Sequence, residues 1–272
     1  MNISPAAFED LARIVSDQSS IVLDPSRDYV IENRLTPLLF EQGMNSLEDL
    51  TVALRRDRFS PLHRKVIDAL TNNETWFFRD GYPFDALREI VLPDLMERLG
   101  SQRTLRIWSA GSSSGQEIYS IAMLLCEHFP RLLGWELYLL GTDISDRALA
   151  RALSGRYSQW EVNRGLPPGL LAKYFSPLGC EWQLCQTIRQ MISFRFLNLS
   201  EPWLARQPFD VVFLRNVLIY LSAESRKAIF RKMHQALRAS GYLFLGSAET
   251  TLNIDDTYDR IPYNDSFYYR PR

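Results

Sequence analysis

The stretch RIWSAGSSSGQEIYSIAMLLC, residues 106–126, holds the residues whose types and spacing most clearly suggest chemistry. An apolar run ends in a small-residue turn containing Gly111 and Gly115, then passes into an apolar-periodic segment. This pattern predicts a strand, a glycine loop and a helix, an arrangement that cradles anions at a helix N-terminus. The loop is not a P-loop, because no Gly-Lys-Ser/Thr follows the second glycine. Its Gly-x-x-x-Gly spacing is not a dinucleotide fingerprint either. Taken alone, such glycines can equally serve to turn the chain tightly and pack helix on strand.

Glu117 adds the discriminating chemistry. A carboxylate near a helix N-terminus is favoured by the macrodipole, by about 0.3–1 kcal/mol, yet it repels a pyrophosphate at a few ångströms. A ligand with a cationic middle is attracted instead. S-adenosylmethionine has a sulfonium, an α-amino group and an adenosine, and no phosphate, so it fits. Asp143 ends the next apolar run, LYLLGTD, where doubly wound folds place an acid on both ribose hydroxyls. Asp143 could alternatively cap the helix that follows, a task open also to Ser145 or Asp146. In FLNLSEP, Leu199 suits packing on an adenine ring, with Asn198 or its backbone near the exocyclic amine. In FDVVFLRNVLIYL, the buried run from Val211 to Leu214 delivers Arg215, Asn216 and Val217 to a strand's carboxyl end, where open α/β sheets bind ligands. Asn216 could also be a plain turn residue, since Asn tolerates left-handed geometry.

These residues need a scaffold. Residues 1 to about 70 read as short helices. Ser4-Pro5 pairs a cap with a first-turn proline, and Phe8, Leu11, Ile14 and Val15 share a face. A second helix is predicted from about Ser26 to Gln42, ending at Gly43, a third from Ser46 and a fourth from Ser60. No strand pattern occurs in this part. From Thr104 onward, TLRIWSAG, ELYLLGTD, FDVVFLRN and GYLFLGSAE alternate with helical segments, including 115–129 and 222–238. Such alternation predicts a parallel sheet covered on both faces. YDRIPYNDSFYYR predicts an antiparallel pair closing the sheet edge. Between about Gly155 and Leu199 the alternation breaks. EWQLCQTI alternates, with Trp182, Leu184 and Ile188 facing one way, and MISFRFLNL follows. The segment reads as a small antiparallel insertion.

Composition narrows the function classes. The 272 residues are 46% hydrophobic and 23% charged with a formal charge of −1, which is ordinary for a soluble domain and gives no global pull toward nucleic acid or an acidic membrane. Three cysteines are too few for a disulfide framework. The start MNISPAAFEDLARIV has no basic lead and no apolar core, unlike a secretory signal, and no apolar run approaches the roughly 20 residues of a membrane span. A cytoplasmic, monomeric protein is expected. No His/Cys cluster has metal spacing, so no metal is expected, and His63, His128 and His234 are scattered over helices.

The stretches TNNETWFFRD, RIWSAGSSSGQEIYSIA, LLGTDIS, FLNLSEPW and FDVVFLRNVLIYL, in this order and spacing, closely resemble the CheR-type chemotaxis receptor methyltransferases. The resemblance spans nearly the whole chain. It implies an α/β fold, a Rossmann-like class I methyltransferase sheet with a small all-helical N-terminal domain and a small antiparallel β insertion. The corresponding boundaries are a helical domain at 1–70, a linker and helix at 71–99, and a methyltransferase domain at 100–272 with the insertion at about 155–197. The implied activity is S-adenosylmethionine-dependent methylation of glutamate side chains on chemoreceptors, leaving S-adenosylhomocysteine and setting sensory adaptation.

Carried over by residue, Asn73, Thr75 and Arg79 lie over the cofactor, with Arg79 near its carboxylate or the substrate's. Glu117 holds the amino group above Gly111, Asp143 with Ile144 meets the ribose, and Asn198-Leu199 and Asn216-Val217 form the adenosine side. Arg79 and Tyr220 are the candidate catalytic residues, although Tyr220 could equally be core. The implied partner is the acidic helical bundle of a chemoreceptor's cytoplasmic region. Arg55, Arg56 and Arg58, with Arg64 and Lys65, would be its docking face; the alternative is a solvated helix surface. The family often has two acids after the second glycine, where this chain has Gln116-Glu117, so Glu117 is expected to be the one that matters. The insertion between Phe175 and Phe194 is shorter than in members that dock on a receptor's C-terminal tether, which argues against tether binding. A non-catalytic cofactor-sensing adaptor is disfavoured by the complete NETWFFR stretch. A methyltransferase for amines is disfavoured because RNVLIY lacks the prolines of an Asn-Pro-Pro-Tyr-like loop.

Overall fold

The computed structural model describes residues 4–57, 60–203 and 207–272. Its first part is helical. Helix α1 (Pro5–Ser19) starts where the Ser4 hydroxyl accepts from the Ala7 N–H, with Pro5 in the first turn, and α2 (Asp28–Gln42) ends at Gly43 with φ +64°. A 3₁₀ turn at Pro25–Arg27 precedes α2, so the helix begins slightly later than Ser26. Helix α3 (Leu47–Arg56) opens with a capping box between Ser46 and Asp49, and α4 (Pro61–Leu70) with a Ser60 cap. Leu11, Val15, Leu35, Leu50, Leu54 and Val66 form the centre of their common core, and Ile14 sits at its edge.

An extended strap, residues 71–77, leads to α5 (Tyr82–Ala86), a π turn (Leu87–Val91) and α6 (Leu92–Leu99). The α/β part then runs β1 (Thr104–Ala110), α7 (Gln116–His128), β2 (Glu136–Asp143), α8 (Asp146–Ser154), β3 (Arg156–Ser158), α9 (Gln159–Asn163), α10 (Pro168–Tyr174), β4 (Phe175–Leu178), β5 (Glu181–Leu184), α11 (Gln186–Gln190), β6 (Ile192–Phe196), β7 (Phe209–Leu214), α12 (Ala223–Ala236), β8 (Leu237–Leu245), β9 (Tyr258–Tyr263) and β10 (Ser266–Pro271). Seven strands form one sheet in the order β6-β2-β1-β7-β8-β10-β9. The first five run parallel, while β10 joins β8 and β9 antiparallel. The period-2 alternation of β1 explains the two covered faces. Ile107 enters the core shared with Ile118, Phe213 and Phe244, and its neighbour Trp108 enters the other, with Val212, Phe230 and Met233.

The insertion is smaller than the sequence pattern implied. A three-stranded antiparallel sheet, β3-β5-β4, does form around Trp182 and Leu184. Ile188, however, lies in α11, and the MISFRF segment is not part of that sheet. It forms β6, parallel to β2, with Leu139 opposite Ile192 and Asp143 opposite Phe196. An edge strand is half-exposed, so its apolar residues alternate as they would in an antiparallel pair, and local pattern cannot tell the two apart.

The chain passes from β1 to β2 and β6 on one side, then returns to β7 on the other side of β1. That reversal opens a crevice at the strands' carboxyl ends. The helical part closes over it by main-chain contacts. Ile21 pairs with Leu221 in an isolated bridge, and the Val22 N–H donates to the Tyr220 carbonyl at 2.9 Å.

Candidate active site

A cleft of about 700 Å³ occupies this crevice. Asn73, Thr75, Arg79, Gly111, Glu117, Asp143, Ile144, Asn198, Leu199, Asn216, Val217 and Tyr220 all line it. Residues from the segment 73–79, from the glycine loop that ends β1 and from the ends of β2, β6 and β7 are thus brought to one space.

The glycine loop is held on three sides. The N–H groups of Gly111 and Ser112 both donate to the Thr142 carbonyl at 2.8 Å, which ties the loop to β2. The Ser113 hydroxyl donates to the Asn73 carbonyl at 2.7 Å, which ties it to the strap. Gly111 has φ +82°, and a Cβ there would lie 2.3 Å from Cγ2 of Val217. Only glycine lets the loop and the β7 end approach this closely.

Asp143 accepts hydrogen bonds from the Ser113 N–H at 2.7 Å and the Ser145 N–H at 2.9 Å. It does not cap α8. That role belongs to Ser145, whose hydroxyl accepts from the Ala148 N–H at 3.0 Å. The Asp143 carboxyl is pushed above the ordinary range by burial, and the nearby Asp68 adds to this, while the backbone N–H donors oppose it. Asn73 donates to the Ser145 hydroxyl at 3.0 Å, so the strap, α4 and the start of α8 meet beside this acid.

Glu117 is 8% exposed and already has partners. It accepts from the Ser109 hydroxyl at 2.8 Å and pairs with Arg215 at 2.7 Å. Arg215 also pairs with Asp80 at 2.7 Å and donates to the Arg79 carbonyl at 3.0 Å. Burial opposes the Arg215 charge, but the two carboxylates more than offset it. Sequence reasoning placed Arg215 at the strand end without a role. A buried acid at Glu117 demands a cation, and the arginine closing an all-apolar strand was the available signal.

Glu249 was missed altogether. It is 9% exposed and accepts from four backbone N–H groups, those of Gly246 (2.7 Å), Asn216 (2.8 Å), Leu218 (2.7 Å) and Ile219 (3.3 Å). Burial raises its pKa and these donors oppose the rise. This carboxylate organises the turn after β7, in which Asn216 adopts φ +58°. Asn216 is therefore both the left-handed turn residue and a wall of the cleft. The short motif GSAE carries no local pattern that would announce such a role.

Asn198 lines the cleft, but its amide serves another purpose. Nδ2 donates to the Gln18 carbonyl at 2.6 Å and to Glu201 at 3.1 Å, and Oδ1 accepts from the Ser200 N–H at 3.0 Å. Of the alternatives at this strand end, Leu199 and the backbone are the groups left to meet a ligand. Arg79 donates to the Glu74 carbonyl at 3.0 Å, and its guanidinium sits 4.2 Å from the Trp76 ring centroid with Nε buried and unpartnered. Tyr220 is half-buried at the cleft rather than in the core, and its hydroxyl accepts from Asn72 at 2.8 Å.

The histidines lie elsewhere. His63 faces the Leu54 and Asp57 carbonyls, His128 lines a separate cavity, and His234 packs edge-on to Tyr258. Of the basic group, Arg55 pairs with Asp10, Arg64 with Asp146 at 2.8 Å and Lys65 with Glu41. Arg56 is exposed, and Arg58 lies outside the described residues. Among the described residues, no helix is long and apolar enough to cross a membrane.

Comparison with known proteins gives the family. Residues 73–266 match the family model "CheR methyltransferase, SAM binding domain", and residues 6–71 match "CheR methyltransferase, all-alpha domain". The chain is 39% identical over 276 residues to chemotaxis protein methyltransferase 1 of Pseudomonas aeruginosa, covering 100% of both chains. It is 36% identical to chemotaxis protein methyltransferase Cher2 of Pseudomonas putida, over 97% of this chain and 98% of that one. It is 34% identical to a chemotaxis protein methyltransferase of Vibrio anguillarum, over 99% of this chain and 98% of that one.

Glu249→Gln replaces one acceptor oxygen by an NH₂ group facing N–H donors. Leaving buried donors unmatched costs roughly 1–3 kcal/mol. The variant should therefore show a lower urea midpoint with an unchanged m value. A midpoint equal to wild type would remove Glu249 from the turn's support.

Proposed function

The chain belongs to the CheR methyltransferase family, and we propose that it methylates glutamate γ-carboxylates on the cytoplasmic helical region of chemoreceptors, setting sensory adaptation. The observation that carries this reading is the shared cleft, in which anion-binding groups, Arg79 and Tyr220, stand beside the residues suited to S-adenosylmethionine.

The residues present fit that cofactor. The buried Arg215 is paired with two carboxylates, the buried Glu117 and the more exposed Asp80, an imbalance that an ammonium or sulfonium would offset. Asp143 is a buried acid bonded to N–H donors, with lone pairs that ribose hydroxyls can use. Gly111 leaves room where any side chain would strike Val217. When bound, S-adenosylmethionine supplies an electrophilic methyl group and leaves as S-adenosylhomocysteine.

The chain's own residues have a limited task. A glutamate side chain has a reference pKa of about 4.3 and is already nucleophilic at neutral pH, so no general base is required. Arg79, held on Trp76 and by the Glu74 carbonyl, orients a carboxylate at the cleft. The Tyr220 hydroxyl, steadied by Asn72, supplies a second polar group at the same rim. The strap and the helical part exclude water, which strengthens these interactions and favours a path along which charge is neutralised. Arg55 and Arg56 on α3 form the receptor-docking face, with Asp10 holding Arg55 in place.

Three experiments test this reading. In the first, the raised Asp143 pKa gives the sign. A folded-state pKa above the unfolded one contributes stability below the unfolded pKa, and this is lost as pH rises through the folded pKa. Burial of Asp143 therefore opposes its charged form in the free protein, and hydroxyl donors would relieve that penalty. Asp143→Asn removes the buried acid but turns an NH₂ toward one of its two N–H donors, so it should fold with a lower midpoint at pH 7 and show no thermal shift with S-adenosylmethionine. Wild type at a hundredfold excess over Kd gains about 2.7 kcal/mol, an effect that shrinks as pH falls. A full shift in the variant would sink the assignment.

In the second, wild type should transfer radiolabelled methyl to a receptor cytoplasmic fragment, and mild base should release it as methanol. Arg79→Ala should reduce that transfer on the order of 10²-fold while unfolding normally. Base-stable label would exclude the ester, and undiminished transfer would exclude Arg79. In the third, reversing Arg55 and Arg56 to Glu should slow receptor methylation most at low ionic strength. A salt-independent rate equal to wild type would exclude the docking face.

A further inference from the structure

The turn Arg164-Gly165, between α9 and α10, packs directly on the strap that leads to Arg79. Gly165 has φ +81°, and a Cβ there would lie 2.1 Å from the Phe77 carbonyl oxygen and 3.0 Å from Cδ1 of Trp76. Backbone touches backbone, so this turn backs the segment from which Glu74, Thr75 and Arg79 line the cleft. Arg164 uses the proximity. Its guanidinium lies 3.9 Å from the Trp76 ring centroid, as that of Arg79 lies 4.2 Å from the same indole. Glu74 serves both arginines, its carbonyl accepting from Arg79 at 3.0 Å and its carboxylate from Arg164 at 2.8 Å. On its outer side Arg164 faces Trp160 at 5.2 Å, an indole that is 66% exposed.

We propose that Arg164 is a specificity-determining residue that binds a second acidic side chain of the substrate, one helical turn from the glutamate being methylated. This rests on the glutamate reading above. Three observations support it. First, the Arg164–Glu74 pair is at the surface, with side-chain exposures of 30% and 56%, so an incoming carboxylate meets a weakly held partner. Secondly, a guanidinium presents five donors in a planar fork, and Glu74 engages only Nη2. Thirdly, acids one turn apart on a helix have Cβ atoms about 5–6 Å apart, a spacing that two guanidinium groups packed on one indole can match. Trp76 thus sets the distance between a reaction-site cation and a recognition-site cation. Glu74 occupies the second position in the free enzyme and is displaced on docking.

The test uses the full-length enzyme and a purified chemoreceptor cytoplasmic fragment whose methylated glutamate has been located by base-labile label. A second fragment carries Gln in place of the acids one turn from that glutamate. Arg164→Ala should raise KM for the intact fragment by about tenfold, with kcat and the S-adenosylmethionine Kd unchanged. On the Gln-substituted fragment, wild type and R164A should have the same KM. Glu74→Gln, which removes the competing carboxylate and keeps the shape, should lower KM for the intact fragment only. Equal penalties for R164A on both fragments, or a KM untouched by R164A, would overturn the inference while leaving the glutamate reading intact. If R164A fails to fold, an E74Q enzyme that treats both fragments as wild type does would overturn it as well. Base-stable label from wild type would overturn both.

Discussion

A single buried guanidinium governs the site. Arg215 leaves the end of β7 and binds Glu117 from the first turn of α7 and Asp80 from beyond the strap, with the Arg79 carbonyl as a further acceptor. Burying such a group is tolerable only when its charge is paired, and here the partners of its two Nη groups come from separate stretches of chain. The requirement to satisfy Arg215 therefore fixes how the strap lies against the sheet. It also holds the Glu117 carboxylate in a fixed orientation before any ligand arrives. The same group sets two carboxylates against one guanidinium, the second of them on the more exposed Asp80.

A second constraint is the closing of the crevice by the helical part. Several of its contacts with the α/β part are hydrogen bonds local to the cleft. The Gln18 and Ser19 carbonyls accept from Asn198 and Ser200, the Val22 N–H reaches Tyr220, and Asn72 and Asn73 reach Tyr220 and Ser145. The apolar cores of the helical bundle and of the sheet are distinct. The bundle is thus a separately packed lid element whose backbone is bonded to both rims of the cleft. Arg34 strengthens this arrangement by donating to the Leu70 and Thr71 carbonyls, which anchors the start of the strap.

Legibility followed the range of the interaction. The glycine loop, the acid Asp143 at the end of β2 and the alternation of strand and helix could be read directly, because turns and periodicity depend on neighbours in sequence. The caps at Ser4, Ser46 and Ser60 were legible for the same reason. The edge strand β6 was assigned to the wrong sheet, since a strand exposed on one side has the same alternation whichever partner it takes. Asn198 was correctly brought to the cleft, but nothing local reveals that its amide turns toward Gln18, a residue 180 positions away.

The sequence by itself determined the order of the chemical groups and the kind of ligand they suit: a small-residue loop, a carboxylate where a phosphate would be repelled, and a further acid at the end of the next strand. Only the tertiary structure decided which charges meet. Arg215 lies 98 positions from Glu117 and 135 from Asp80, and Arg164 lies 90 from Glu74. Pairings across such separations leave no periodic trace, because they follow from strand order and from the packing of Gly165 on the strap. Charge compensation says that a buried Glu117 must find a cation; the fold says which one.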